Sequence, residues 1–154
     1  MCLFLVGETD DAELSGAIDR YVSRLKHYCS LEIEVLKIPK QFKKLGQNEL
    51  KSAEGKLILE SLTVQDYLVL LDERGTEFTS IAFSEKLQKW LNGGHRRIVF
   101  LIGGAFGFSD DVYQRADFKL GLSKMTLTHQ MVRLFFTEQL YRGFTILKNE
   151  KYHH

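Results

Sequence analysis

RIVFLIGG, residues 97–104, is five consecutive apolar residues behind one arginine, closed by two glycines. The run is strand-sized, and an unbroken apolar strand is one buried on both faces, as in the interior of a parallel sheet. Two similar runs precede it in the chain: CLFLV at Cys2–Val6, stopped by Gly7, and YLVLL at Tyr67–Leu71. Helical spacing fills the gaps. Asp11–Tyr28 places Leu14, Ile18, Tyr21, Val22, Leu25 and Tyr28 on one face. Asn48 is set to cap a helix through Leu62, and Ser80–Leu91 is a helix stopped by Asn92-Gly93-Gly94. Leu31–Ile38 reads as a strand ending before Pro39, and Phe118–Leu122 as a short one. Ser109 is expected to cap a short helix to Arg115, and Gln130–Thr145 is a strongly apolar helix. Lys40–Gln47 and Asp72–Thr79 read as loops, and Lys148–His154 as a polar tail. The alternation predicts an α/β fold, a parallel sheet flanked by helices, in one domain over 1–154.

Composition removes several classes. Of 154 residues, 44% are apolar, 12% aromatic and one is proline, so neither a disordered nor a low-complexity chain is in view. The apolar runs are too short to span a membrane or to form a signal peptide, so the expectation is a cytoplasmic protein with no membrane partner. Cys2 and Cys29 provide no disulfide framework and, without CxxC spacing, no metal site. A net charge of +1 excludes indiscriminate coating of nucleic acid. Yet from Lys119 to His154 six bases face two acids, a local excess fit for an anionic partner.

In open parallel sheets ligands bind beyond the carboxyl ends of the strands. Three such ends stand out: Leu71-Asp72-Glu73, Gly103–Gly107 and Leu122–Leu127. GGAFG is not a dinucleotide fingerprint, and no acid follows at the ribose spacing; neither a P-loop nor GxSxG occurs. Asp10-Asp11 and Asp110-Asp111 sit at helix starts, where the helix dipole accounts for them. His129 and Arg133 are four apart, on one face of the last helix.

LIGGAFGFS (101–109), LSKMTLTHQMVRLFFTEQLYRGFTILKNEKYHH (122–154) and LFLVGE (3–8) together resemble the small SPOUT-class methyltransferases of large-subunit (23S) ribosomal RNA, the family that methylates N3 of a pseudouridine. The resemblance covers the whole chain. It implies a SPOUT-type α/β knot with a C-terminal trefoil knot, a homodimer packed through the last helix, and S-adenosyl-L-methionine as cofactor. It assigns the cofactor to Leu71, Gly103 and Leu122, Ser123, Lys124, Met125, Thr126 and Leu127. His129 and His153 become candidate proton acceptors, and Arg133, Arg142 and Tyr152 substrate contacts on the ribosome or its large-subunit rRNA. Two departures stand out: Thr128 where the family usually has proline, and Ala105-Phe106 in the glycine loop. A SPOUT enzyme with another RNA target, such as transfer RNA, and a non-catalytic α/β binding protein are the alternative readings.

Overall fold

The computed structural model of the chain describes residues 1–153; the side chains of Lys43 and His153 lie outside that description. Five strands, β1 (Cys2–Val6), β2 (Glu32–Leu36), β3 (Asp66–Glu77), β4 (Arg97–Ile102) and β5 (Phe118–Gly121), form one sheet in the order β2-β1-β4-β3-β5. Every pairing is parallel. The helices are α1 (Ala12–Leu25), α2 (Gln47–Glu60), α3 (Ser80–Leu91), α4 (Asp110–Arg115) and α5 (His129–Leu147).

Period-two alternation divides the strand side chains between two cores. Leu3, Val69, Phe100 and Leu120 turn toward Leu25 of α1, Leu87 of α3 and Phe136 and Leu140 of α5. Phe4, Leu68, Leu70 and Leu101 turn the other way, onto Ile58 of α2 and Val112 of α4. Both faces being covered, the central strands have to be apolar throughout, which is how they read. Trp90, the only tryptophan, lies on α3 against Phe83, Phe100 and Phe118, and its indole N–H is buried without a partner.

The helix starts are capped by side chains where the sequence supplies them. Asp11 accepts from Leu14 N–H at 2.9 Å, and Thr79 from Ala82 N–H at 3.2 Å. Ser109 stands before α4 but makes no capping bond with its side chain. Asn48 is not the cap of α2: the helix begins at Gln47 behind Gly46, whose N–H donates to Glu49. The expected loop Lys40–Gln47 contains a 3-10 turn at Lys40–Lys44, and the tail contains another at Lys151–His153.

The largest departure from the sequence reading is β3. It does not end at Leu71: after a register shift between Leu71 and Thr76 it resumes pairing with β5, Thr76 opposite Leu120 and Glu77 opposite Gly121. This second contact is tight. A Cβ on Gly75 would stand 2.5 Å from Gly121 N and from the Leu120 carbonyl carbon, both backbone atoms that cannot turn aside. Gly75→Ala is therefore expected to destabilise the protein by about 1–3 kcal/mol, the usual cost of overpacking. Urea unfolding measures this, and an unchanged midpoint contradicts it.

Candidate active site

The break in β3 after Leu71, the carboxyl ends of β4 and β5 and the start of α5 open on one cleft of about 720 Å³. Leu71, Ile102, Leu120, Leu122 and Val132 give it apolar walls. Its rim is the loop Gly103–Phe108 and the segment leading into α5. Of the residues the resemblance assigns to the cofactor, Leu71, Gly103, Leu122, Ser123, Met125, Thr126 and Leu127 line this cleft, together with His129. Lys124 is not among the lining residues.

The glycine loop is shaped by what lies behind it. A Cβ on Gly103 would meet the Phe108 ring at 2.8 Å, and Phe108 is itself buried. A Cβ on Gly104 would meet the Glu54 carboxylate at 2.8 Å. Gly107, at φ +74°, turns the chain back so that its N–H donates to the Gly104 carbonyl at 3.2 Å. At Gly103 and Gly104 the loop thus presents backbone to the cleft, between the side chains of Ala105, Phe106 and Phe108. Burial pushes Glu54 above the usual carboxylate range.

Side-chain bonds tie the three strand ends together. The Tyr113 hydroxyl of α4 donates to Asp72, and Thr126 donates to Glu73 at 3.3 Å. Burial, reinforced by the Asp72 bond, pushes Tyr113 up to about 12. Asp72 also accepts from Arg74 N–H at 2.8 Å, which closes the turn after Leu71.

Thr128, where the resembled family usually has proline, is the cap of α5: its hydroxyl accepts from Met131 N–H at 3.2 Å. His129 follows as the first residue of the helix. Its Nε2 lies 3.3 Å from the Gln130 amide nitrogen, which also donates to the Glu8 carbonyl at 3.2 Å. Burial, helped by the charge of Arg133 and opposed by Asp10, holds His129 below its ordinary pKa. The imidazole is neutral at pH 7 and able to take a proton.

Arg133 shares a helix face with His129, as expected, but that face is turned inward. The residue is 0% exposed, and its guanidinium donates to Val6 O and Thr9 Oγ1, each at 2.9 Å. The bonds of this arginine, expected to touch substrate, go here to β1 and the loop after it. Arg142 and Tyr152 lie elsewhere again. Arg142 is paired with Glu138 at 2.6 Å and stacks over the Tyr152 ring at 4.9 Å. The Tyr152 hydroxyl reaches Glu138 at 3.1 Å and Tyr21 at 3.3 Å. This cluster lies on α1, α5 and the tail turn and does not line the cleft. The side chain of His153 falls outside the described residues. The sequence reading did not single out Tyr113, Gln130, Gln47 or Lys51, of which Tyr113, Gln47 and Lys51 line the cleft.

A parallel sheet that opens a glycine-edged cleft at the break in β3 and the ends of β4 and β5 has it where α/β enzymes bind their ligands. The family model described as "Predicted SPOUT methyltransferase" matches residues 1–153, and the chain belongs to that family of methyltransferases. Among curated proteins it is 55% identical over 152 residues to "Ribosomal RNA large subunit methyltransferase H" of Christiangramia forsetii. It is 53% identical to the protein of the same name from Flavobacterium psychrophilum, and 51% to that of Flavobacterium johnsoniae. Each match covers 99% of this chain and 97% of the relative. Among the described residues no helix is long and apolar enough to cross a membrane, and no cluster of three or more His, Cys, Asp or Glu could hold a metal ion.

A larger residue at 103 has to displace Phe108 and with it the loop. Gly103→Val is expected to remain folded while S-adenosylmethionine affinity drops about tenfold or more, the equivalent of roughly 1.4 kcal/mol. Calorimetric affinity equal to the unmodified protein's contradicts this.

Proposed function

We propose that the protein methylates N3 of a pseudouridine in large-subunit ribosomal RNA, on the ribosome, with S-adenosyl-L-methionine bound in the strand-end cleft. The observation that carries this is the cleft itself: apolar walls, a backbone-edged glycine loop and room for a nucleoside-sized group, in a chain about half identical to proteins named for that RNA. The residues fit the cofactor. Leu71, Ile102 and Leu122 offer apolar surface for an adenine, the backbone of 122–127 offers donors and acceptors for its edge, and Asp72 and Glu73 put negative charge beside a sulfonium. When bound, the cofactor supplies an electrophilic methyl group.

The chain supplies position and proton handling. His129, neutral and half-buried at the cleft edge, is a fitting acceptor for the imino proton that N3 has to lose, with His153 the other candidate. Arg142 is a fit for phosphate or a base carbonyl and Tyr152 for stacking on an unpaired base. Neither lines the cleft of its own chain, which supports a homodimer in which a second copy completes the site. α5 has the face for it: Met131 and Phe135 are exposed on the same helix whose Phe136 and Leu140 are in the core. The trefoil knot is what membership of the family implies for this chain.

The deciding experiment is methyl transfer from labelled cofactor to ribosomes, isolated large subunits and protein-free RNA in parallel, with the modified base identified. Transfer to a transfer RNA alone, or none with cofactor bound, would sink the proposal. Two further outcomes are expected. Light scattering finds a dimer at micromolar concentration, and Phe135→Asp, which places a charge in the α5 face, finds a monomer; a monomeric unmodified protein contradicts the dimer. Because the folded pKa of His129 lies below its ordinary 6.5, activity should fall only below that pH, as the ring becomes charged, and stay level above it. His129→Asn should abolish that acid limb along with most of the rate; an unchanged pH profile points to another acceptor.

A further inference from the structure

Between Lys37 and Lys56 six lysines face two glutamates, in a protein whose net charge is +1. Nearly half of the chain's 13 lysines fall in these twenty positions. Only one of the two acids stands among them at the surface. Glu54 is buried behind Gly104, and Glu49 is engaged by the Gly46 N–H. Lys37, Lys40, Lys44 and Lys56 are exposed and Lys51 is half-exposed. Among the described residues none of these five forms an ion pair, the salt bridges all lying at Arg97, Arg115 and Arg142. An uncompensated cluster of this kind repels itself, and its natural complement is a polyanion.

The cluster is held in a defined shape. Pro39, the only proline, leads into the 3-10 turn Lys40–Lys44. Phe42 N–H donates to Pro39 O at 2.9 Å, and Leu45 N–H to Phe42 O at 3.0 Å. The Phe42 ring is half-buried and shares a shallow cleft with Leu57 of α2. The loop follows the carboxyl end of β2, so it lies on the same end of the sheet as the active cleft. The join is direct, because Gln47 and Lys51 in the first turns of α2 line that cleft. Among the charges lining the cleft are correspondingly Asp72, Glu73 and Arg74 on the β3 side and Lys51 on the α2 side, with the other lysines of the segment beyond it.

We infer that the Lys37–Lys56 segment is the surface on which the enzyme grips the sugar–phosphate backbone of its ribosomal RNA beside the target base. This rests on the ribosomal RNA reading above. Lys51 at the cleft edge continues the exposed lysines of the segment, so a polyanion held on them is led to the α2 side of the cleft. Lysines act here as point charges on successive phosphates, positioning the RNA without reading its sequence.

The test is equilibrium binding of the full-length protein to ribosomes across a range of potassium chloride, apart from any methyl transfer. Lys40→Glu/Lys44→Glu changes two exposed side chains that make no bonds within the described residues, so the fold should be kept, as circular dichroism can verify; Lys40→Ala/Lys44→Ala is the milder second variant. The charge reversal is expected to weaken ribosome binding about tenfold or more and to reduce the slope of log affinity against log salt by about two, roughly one for each phosphate no longer neutralised. The alanine pair should fall between, and S-adenosylmethionine affinity should not move. Ribosome affinity and salt slope equal to the unmodified protein's in both variants overturn the inference. A photo-crosslinker placed at Lys44→Cys in a Cys29→Ser background should attach to RNA; attachment to ribosomal protein alone also overturns it. Failure of the ribosomal RNA reading would show differently, as ribosome binding with these lysine effects intact but no methyl transferred.

Discussion

Gly75 and the backbone of Leu120–Gly121 come so close that no side chain fits between them, and the position of everything after residue 117 follows from that approach. β5 is only four residues long, with Leu120 its deepest member. It is held at its start as well: Asp117 accepts from Leu68 N–H at 2.7 Å and returns its own N–H to Leu68 O at 3.0 Å. Arg115, just before it, donates to the Asp66 and Thr63 carbonyls. A short strand so fixed at both ends delivers Leu122–Thr128 to one place only, the side of the cleft opposite the glycine loop.

The first turn of α5 is fixed by a different kind of contact. Arg133 buries a full guanidinium to hold the end of β1, and its Nε remains without a partner. Burial lowers its pKa, yet an arginine remains charged. Burying that charge is expensive unless its bonds are well made, so its retention fits a role in geometry more than in stability. By anchoring α5 against Val6 and Thr9, it sets the orientation of His129 one turn earlier and adds to the field that keeps that imidazole neutral.

The sequence was legible where burial dictates pattern. Cys2–Val6, Ser80–Leu91 and Arg97–Ile102 are found with the very bounds their apolar runs announce. It was opaque where backbone alone does the work. Arg74-Gly75-Thr76-Glu77 reads as a turn because nothing apolar alternates there, and its pairing with β5 uses main-chain groups that carry no sequence signature. The 3-10 turn at Lys40–Lys44 is likewise hidden in a polar stretch. For the site, strand ends pointed to three segments of one cleft. The i, i+4 spacing of His129 and Arg133 placed them on one face but could not say that the face turns toward β1. Tyr113 had no signal at all, since its partner Asp72 is 41 residues away.

Trp90 makes the molecule its own optical probe. Its indole is enclosed by Phe83, Phe100 and Phe118 and is shielded from water, so the native protein emits at short wavelength from one site. Phe118 belongs to β5, so loss of that strand from the sheet edge exposes the ring and reddens the emission. The cleft does not include Trp90, so a ligand entering it leaves the ring's immediate surroundings unchanged. A single fluorescence trace therefore separates the seating of the last strand from the filling of the site it builds.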